Sequence, residues 1–212
     1  ASLSPTNISL CFALVIAVAG SGFWLVHYFI DSREQRQTYE TLAEEFVLES
    51  TPTPESTTPT ENSSPTENSS EPAESVSLTT ATPRHDLAAL AAENSDCVGW
   101  VTIPDTGIDY PIMWTPDDPE HYLRRDFYGE SASGGTPFLD GRNLAEAENQ
   151  NLILYGHNIM DGSMFKPLIS YLEPSFRETH KEIYLELSEK QYRYEVFAVV
   201  ETNTQCSLYQ YT

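Results

Sequence analysis

The stretch Asn151-Leu-Ile-Leu-Tyr-Gly-His157-Asn-Ile-Met-Asp161-Gly-Ser-Met-Phe165 decides how this chain is read. The apolar run Leu152 to Tyr155 predicts a short strand, and Gly156 punctuates it. The strand delivers His157 to the start of a polar loop. A strand end is stiff, so a side chain placed there can be aimed at a reacting group. Imidazole titrates near neutral pH and suits proton transfer. A single histidine on a strand serves packing as readily as chemistry, so the surrounding sequence has to decide.

That surrounding sequence is specific. Tyr-Gly-His-Asn-x-x-Asp-Gly-Ser-Met-Phe, ending at Phe165, resembles the histidine segment of class B sortases, the cysteine transpeptidases that attach proteins to Gram-positive cell walls. Two further blocks resemble the same family in the same order. Asp96-Cys-Val-Gly-Trp-Val-Thr-Ile-Pro-Asp-Thr-Gly-Ile-Asp-Tyr-Pro111 is similar to its opening strand pair. Phe127-Tyr-Gly-Glu130 with Gly135-Thr-Pro-Phe-Leu-Asp140 is similar to the next block.

The chain has 212 residues and a formal net charge of −21. Residues 1–83 carry 11 acidic and 2 basic side chains, and residues 84–212 carry 21 and 9. No Lys/Arg cluster could neutralise the phosphates of a nucleic acid, which argues against such a partner.

After an N-terminal flank at 1–7, the mainly apolar run from Ile8 to Ile30 contains His27 as its one titratable group apart from Cys11 and Tyr28. At 1.5 Å per residue such a helix spans roughly 30 Å, enough for a bilayer core. Ala17-Val-Ala19 offers a signal-cleavage site, but the apolar run continues too far beyond it, which favours an uncleaved anchor. Trp24 and Tyr28 fit an interfacial aromatic belt. Arg33 and Arg36 follow the span, and by the positive-inside rule would point the C-terminal side inward. The segment at 50–83 argues for export instead. It is rich in Ser, Thr, Pro and Glu, with Pro-Thr-Glu-Asn-Ser-Ser in tandem at 59–64 and 65–70. Such composition cannot form a core and predicts a disordered stalk. The expected layout is a single-pass anchor at 8–30, a juxtamembrane helix at 31–49, the stalk at 50–83 and an extracellular domain at 84–212.

Within the domain, Asp86 predicts the N-cap of a helix ending at Glu93, with Leu87, Leu90 and Ala91 packed inward. Strands are expected at Cys97–Ile103, Gly107–Met113, Gly135–Leu139 and Asn151–Tyr155. A short helix is expected at Met164–Tyr171, and a hairpin pairs Glu182–Leu187 with Tyr192–Val200. Short strands with polar turns predict a mainly β barrel or sandwich; the resemblance selects an incomplete sortase-like β-barrel.

The resemblance also implies chemistry. A thiolate attacks a sorting-signal threonine carbonyl, and an amine resolves the thioacyl enzyme. Histidine protonates the leaving amine and an arginine stabilises the oxyanion. His157 takes the histidine role. Asp140, Asn143 and Asp161 are candidates to orient the imidazole or line the groove, alongside Arg142; turn formation and a surface ion pair explain them equally well. No cofactor is implied, and no metal-binding spacing is present.

Of the three cysteines, Cys11 lies in the apolar span and Cys97 opens the first barrel strand, where a buried structural thiol is the default. Thr202-Asn-Thr-Gln-Cys206 superficially resembles the family's nucleophile motif, but lies only 49 residues past His157, and no arginine follows Arg193. The reading therefore expects the nucleophile and arginine beyond Thr212, and these residues alone to be inactive and poorly stable. A Cys97–Cys206 disulfide stays open. The implied partners are exported proteins with C-terminal sorting signals and a peptidoglycan-precursor amine. The other reading is a non-catalytic stalked module that binds wall peptides or sorting signals.

Overall fold

The computed structural model describes residues 5–48, 80–81, 83–143 and 151–202. Cys206, with the expected nucleophile-like motif around it, and most of the expected stalk lie outside the described residues.

The chain opens with one continuous helix, α1 (Pro5–Glu45), so the anticipated anchor and juxtamembrane helix are a single element. Strand β1 (Thr80–Ala81) and helix α2 (Leu87–Glu93) lead into the sheet. Asp86 caps α2 as expected, its side chain accepting from Ala89 N at 2.9 Å, and Leu90 is fully buried. Then come β2 (Cys97–Ile103), β3 (Ile108–Met113), β4 (Phe138–Leu139) and β5 (Leu154–Tyr155). Beyond them lie a 3-10 segment at Lys166–Leu172, helix α3 (Pro174–Thr179), β6 (Glu182–Leu187) and β7 (Lys190–Glu195).

The seven strands form one sheet in the order β1-β7-β6-β2-β3-β4-β5, curled into a half-barrel. All neighbours are antiparallel except β3 and β4, which meet in parallel at Met113 and Phe138. Pro111 is tolerated inside β3 because β4 pairs with β3 at Met113 alone, leaving little ladder for the missing N–H to break. The hairpin at β6–β7 is tighter than expected. Leu187 pairs with Lys190, and Ser188 and Glu189 form a two-residue turn with φ of 51° and 60°. The second strand therefore starts two residues early and stops at Glu195, where the alternation at 196–200 had suggested continuation.

Trp100, Ile108, Ile112, Met113, Phe127 and Leu139 fill the core, each at most 1% exposed. Burial of each such side chain contributes about 1.5–3 kcal/mol. Helix α1 joins this core through its second half. Ser32, Gln35, Tyr39 and Leu42 are buried, at spacings of three and four that put them on one helical face. Tyr39 meets Tyr110 edge-on at 5.3 Å between ring centroids.

The described residues on either side of the anticipated stalk lie together. Leu48 N donates to Arg84 O at 2.8 Å, Asp86 N donates to Phe46 O at 2.7 Å, and Val47 bridges His85. The two ends of the Ser/Thr/Pro/Glu segment therefore meet, and its length does not separate α1 from the domain. The Thr80–Ala81 end of that segment pairs with β7 as an edge strand.

Candidate active site

His157 follows β5 directly, and β5 is fixed by pairing with β4 through Phe138–Tyr155 and Leu139–Leu154. Gly156 lies between strand and histidine because a Cβ there would come within 2.4 Å of the Phe165 ring. Phe165 N donates to His157 O at 2.8 Å and Asn158 bridges Met164, so the turn from 157 to 165 closes on itself. The half-buried imidazole makes one hydrogen bond among the described residues, from Nε2 to Leu123 O at 2.8 Å. A carbonyl only accepts, so Nε2 carries a proton and Nδ1 is the nitrogen left for other work.

The Leu123 carbonyl is itself held in place. It belongs to the 3-10 segment His121–Arg124, and Gly135 packs directly against it. Gly135 has φ +60°, and a Cβ there would lie 2.3 Å from Leu123 O and 2.6 Å from Tyr122 O. Helix α1 fixes the other side of that glycine. Gly135 O accepts from Gln35 Nε2 at 2.8 Å and from Tyr39 OH at 3.0 Å. A chain of contacts thus runs from α1 through Gly135 and Leu123 to the imidazole. Sequence reading did not find these residues; the spacing of Ser32, Gln35, Tyr39 and Leu42 was the available signal, masked by polar members.

The other candidates take up framing positions. Asp140 accepts from Arg142 N at 3.0 Å, from its Nε at 2.9 Å and Nη2 at 3.1 Å, and from Tyr155 OH at 3.0 Å. Asn143 Oδ1 accepts from Ile153 N at 2.8 Å while its Nδ2 donates to Asn151 O at 2.7 Å. These two residues set the connection between β4 and β5. Asp161 Oδ1 accepts from Ser163 N at 2.8 Å and from Ser163 Oγ at 2.6 Å, and its Oδ2 accepts from Ser32 Oγ on α1. The His157 ring is bonded to none of the three.

Cys97 is 4% exposed, and burial pushes its thiol up to about 12 despite hydrogen bonds at Gly99 and Ile112. A thiol in that state supplies almost no thiolate at neutral pH, so Cys97 is structural. Among the described residues no group of three His, Cys, Asp or Glu could hold a metal ion.

A Sortase domain family model matches residues 101–211. Sortase B of Listeria monocytogenes is 44% identical over 121 residues, covering 57% of this chain and 49% of that protein. Sortase B of Staphylococcus aureus is 29% identical over 191 residues, covering 90% of this chain and 67% of that protein. The chain thus spans between about half and two thirds of these relatives. The crystal structure of sortase B from Bacillus anthracis aligns with a TM-score of 0.57 at 29% identity, covering 84% of this chain and 75% of that one. The curled sheet and these matches agree: the chain belongs to the sortase family, with class B sortases as its relatives.

Proposed function

We propose that this chain provides the histidine half of a membrane-anchored transpeptidase acting on C-terminal sorting signals. The observation that carries the reading is His157 just past a paired strand end, its Nε2 tied to Leu123 O and its Nδ1 without a partner among the described residues. In the proposed reaction a thiolate attacks the carbonyl of the scissile peptide, and the C–N bond breaks as Nδ1–H of the imidazolium passes its proton to the leaving amine. The product is a thioacyl enzyme. An acceptor amine then attacks the thioester; its proton returns to Nδ1, the C–S bond breaks and the thiolate is regenerated. Cys97 is too deeply buried to be that thiol. The acceptor fitting this chemistry is a primary amine of peptidoglycan precursor, and the substrates are exported proteins.

The anchor reading rests on α1. Within Leu14–Glu45 the helix holds a stretch long and apolar enough, by length and composition, to cross a membrane, and the apolar run ends at Ile30. The proposed topology is single-pass, with the domain outside the cell.

The test is mass-spectrometric detection of an amide product from a sorting-signal peptide library and an amine acceptor, using the whole protein. His157→Gln is expected to lower kcat/KM by about 10²- to 10⁴-fold, the usual range for losing a general acid. Unchanged turnover in that variant would sink the assignment.

A further inference from the structure

The apolar run of α1 ends at Ile30, and the folded domain touches the helix immediately afterwards. Ser133 Oγ donates to Asp31 Oδ2 at 3.1 Å, and Ser32 Oγ donates to Asp161. Ser32 lies only about 3 Å along the helix axis from Ile30. None of the described side chains from Leu14 to Asp31 is buried, whereas Ser32 and Gln35 are. If α1 crosses a bilayer, the membrane surface and the near side of the domain therefore lie at nearly the same height.

What the domain presents at that height is the turn that carries His157. Asp161 is bonded to α1, and Met160 beside it is 91% exposed, an apolar side chain with its full length outside the core. On the helix side, Phe29 is 53% exposed, and Arg33 and Arg36 are exposed. Phe29, Ser32, Arg33, Arg36 and Asp161 enclose a pocket of about 230 Å³. Arg33 and Arg36 are the sole basic side chains before Arg84 in a chain of net charge −21. Guanidinium groups at the end of a span pair with lipid phosphates, and an exposed methionine on the same side of the domain, next in sequence to Asp161 of that pocket, enters the headgroup layer at little cost.

We propose that the turn His157–Asp161 rests on the bilayer, with Met160 in the headgroup layer and Arg33 and Arg36 holding lipid phosphates. The occupant is the lipid surface itself, because this patch is continuous with the apolar run of α1. A substrate reaching His157 would then approach along the membrane plane. This inference rests on the reading of α1 as a span, so its test separates the two.

The chain has three methionines, and they serve as internal probes: Met113 is fully buried, Met164 is 2% exposed and Met160 projects outward. The protein would be labelled with [13C-methyl]methionine and placed in nanodiscs of equal parts phosphatidylglycerol and phosphatidylcholine, with a gadolinium-chelating headgroup lipid added. Met160→Leu identifies the Met160 signal, and flotation after a carbonate wash reports insertion of α1. The expected result is flotation with the protein, loss of most of the Met160 signal, and retention of the Met113 signal. Arg33→Gln/Arg36→Gln should restore part of the Met160 intensity. Flotation with an unaffected Met160 signal would overturn the inference and leave the span standing. Failure to float would overturn both. A Met160 signal that moves with protein concentration in lipid-free detergent would mean that a second copy covers the patch, and would also overturn it.

Discussion

His85 and His157 place the same side chain in opposite settings. His85 is 1% exposed, lies flat on Trp100 at 4.2 Å between ring centroids, and bonds through Nδ1 to both carboxylate oxygens of Glu186 at 3.2 and 3.3 Å. Glu186 is equally buried and also accepts from His85 N at 2.9 Å and Gln191 Nε2 at 3.2 Å. His157 is half-buried and, among the described residues, has one side-chain bond, to a backbone carbonyl, through Nε2. A histidine enclosed by an aromatic face and a carboxylate holds structure together. One fixed on a single side suits the proton-transfer role proposed for His157. The first pins residues 83–86 to the sheet beside the end of α1, and the second ends β5.

The largest effect expected on the structural side comes from Glu186→Ala. Removing the carboxylate leaves the buried donors of His85 without their acceptor, at about 1–3 kcal/mol each, so the denaturant midpoint should fall sharply. A midpoint within error of the parent would mean that the pair is ornamental and the contrast false. Gly135→Ala should cost about 1–3 kcal/mol, because a Cβ at φ +60° meets two carbonyls. It should also lower turnover per folded molecule by displacing Leu123 O from Nε2; stability loss with normal turnover would break the link from Gly135 to His157. Tyr39→Phe removes a hydroxyl that bonds Gly135 O and lies 2.8 Å from Thr136 Oγ1, and should cost about 0.5–1.5 kcal/mol by thermal unfolding.

The smallest effect is on the acid side. Burial alone would raise the Glu186 carboxyl, but hydrogen bonds from the His85 side chain and backbone outweigh it and hold it below the usual range. A depressed carboxyl stabilises fully above its unfolded value of about 4.3, and that contribution is lost as the pH falls through the lower folded value. Glu186→Gln should therefore flatten the decline of stability below about pH 5. An unchanged slope would show that other carboxyls control acid unfolding.

The contrast also explains what could be read in advance. The strand pair expected at Cys97–Ile103 and Gly107–Met113 (the second observed from Ile108), the strand Glu182–Leu187 and the Asp86 cap were legible because their signals are local: alternation, a turn at Pro104–Thr106 and an acidic cap. The motif singled out His157, which the structure places just past the end of β5. His85 was not legible, since its partner lies 101 residues away on β6. The docking of α1 was hidden because Ser32, Gln35 and Tyr39 are polar, and their burial depends on carboxylate, carbonyl and hydroxyl partners 96 to 129 residues on. The hairpin after Leu187 was read too wide because Ser188 and Glu189 are not the residues that usually take positive φ.

These two histidines divide structure from chemistry, and one paired measurement tests the division: kcat/KM and unfolding midpoint for His157→Gln and His85→Gln side by side. His157→Gln should lose about 10²-fold or more in turnover with its midpoint preserved, and His85→Gln should lose stability while its folded fraction turns over normally. A stable, active His157→Gln beside a stable, inactive His85→Gln would contradict it.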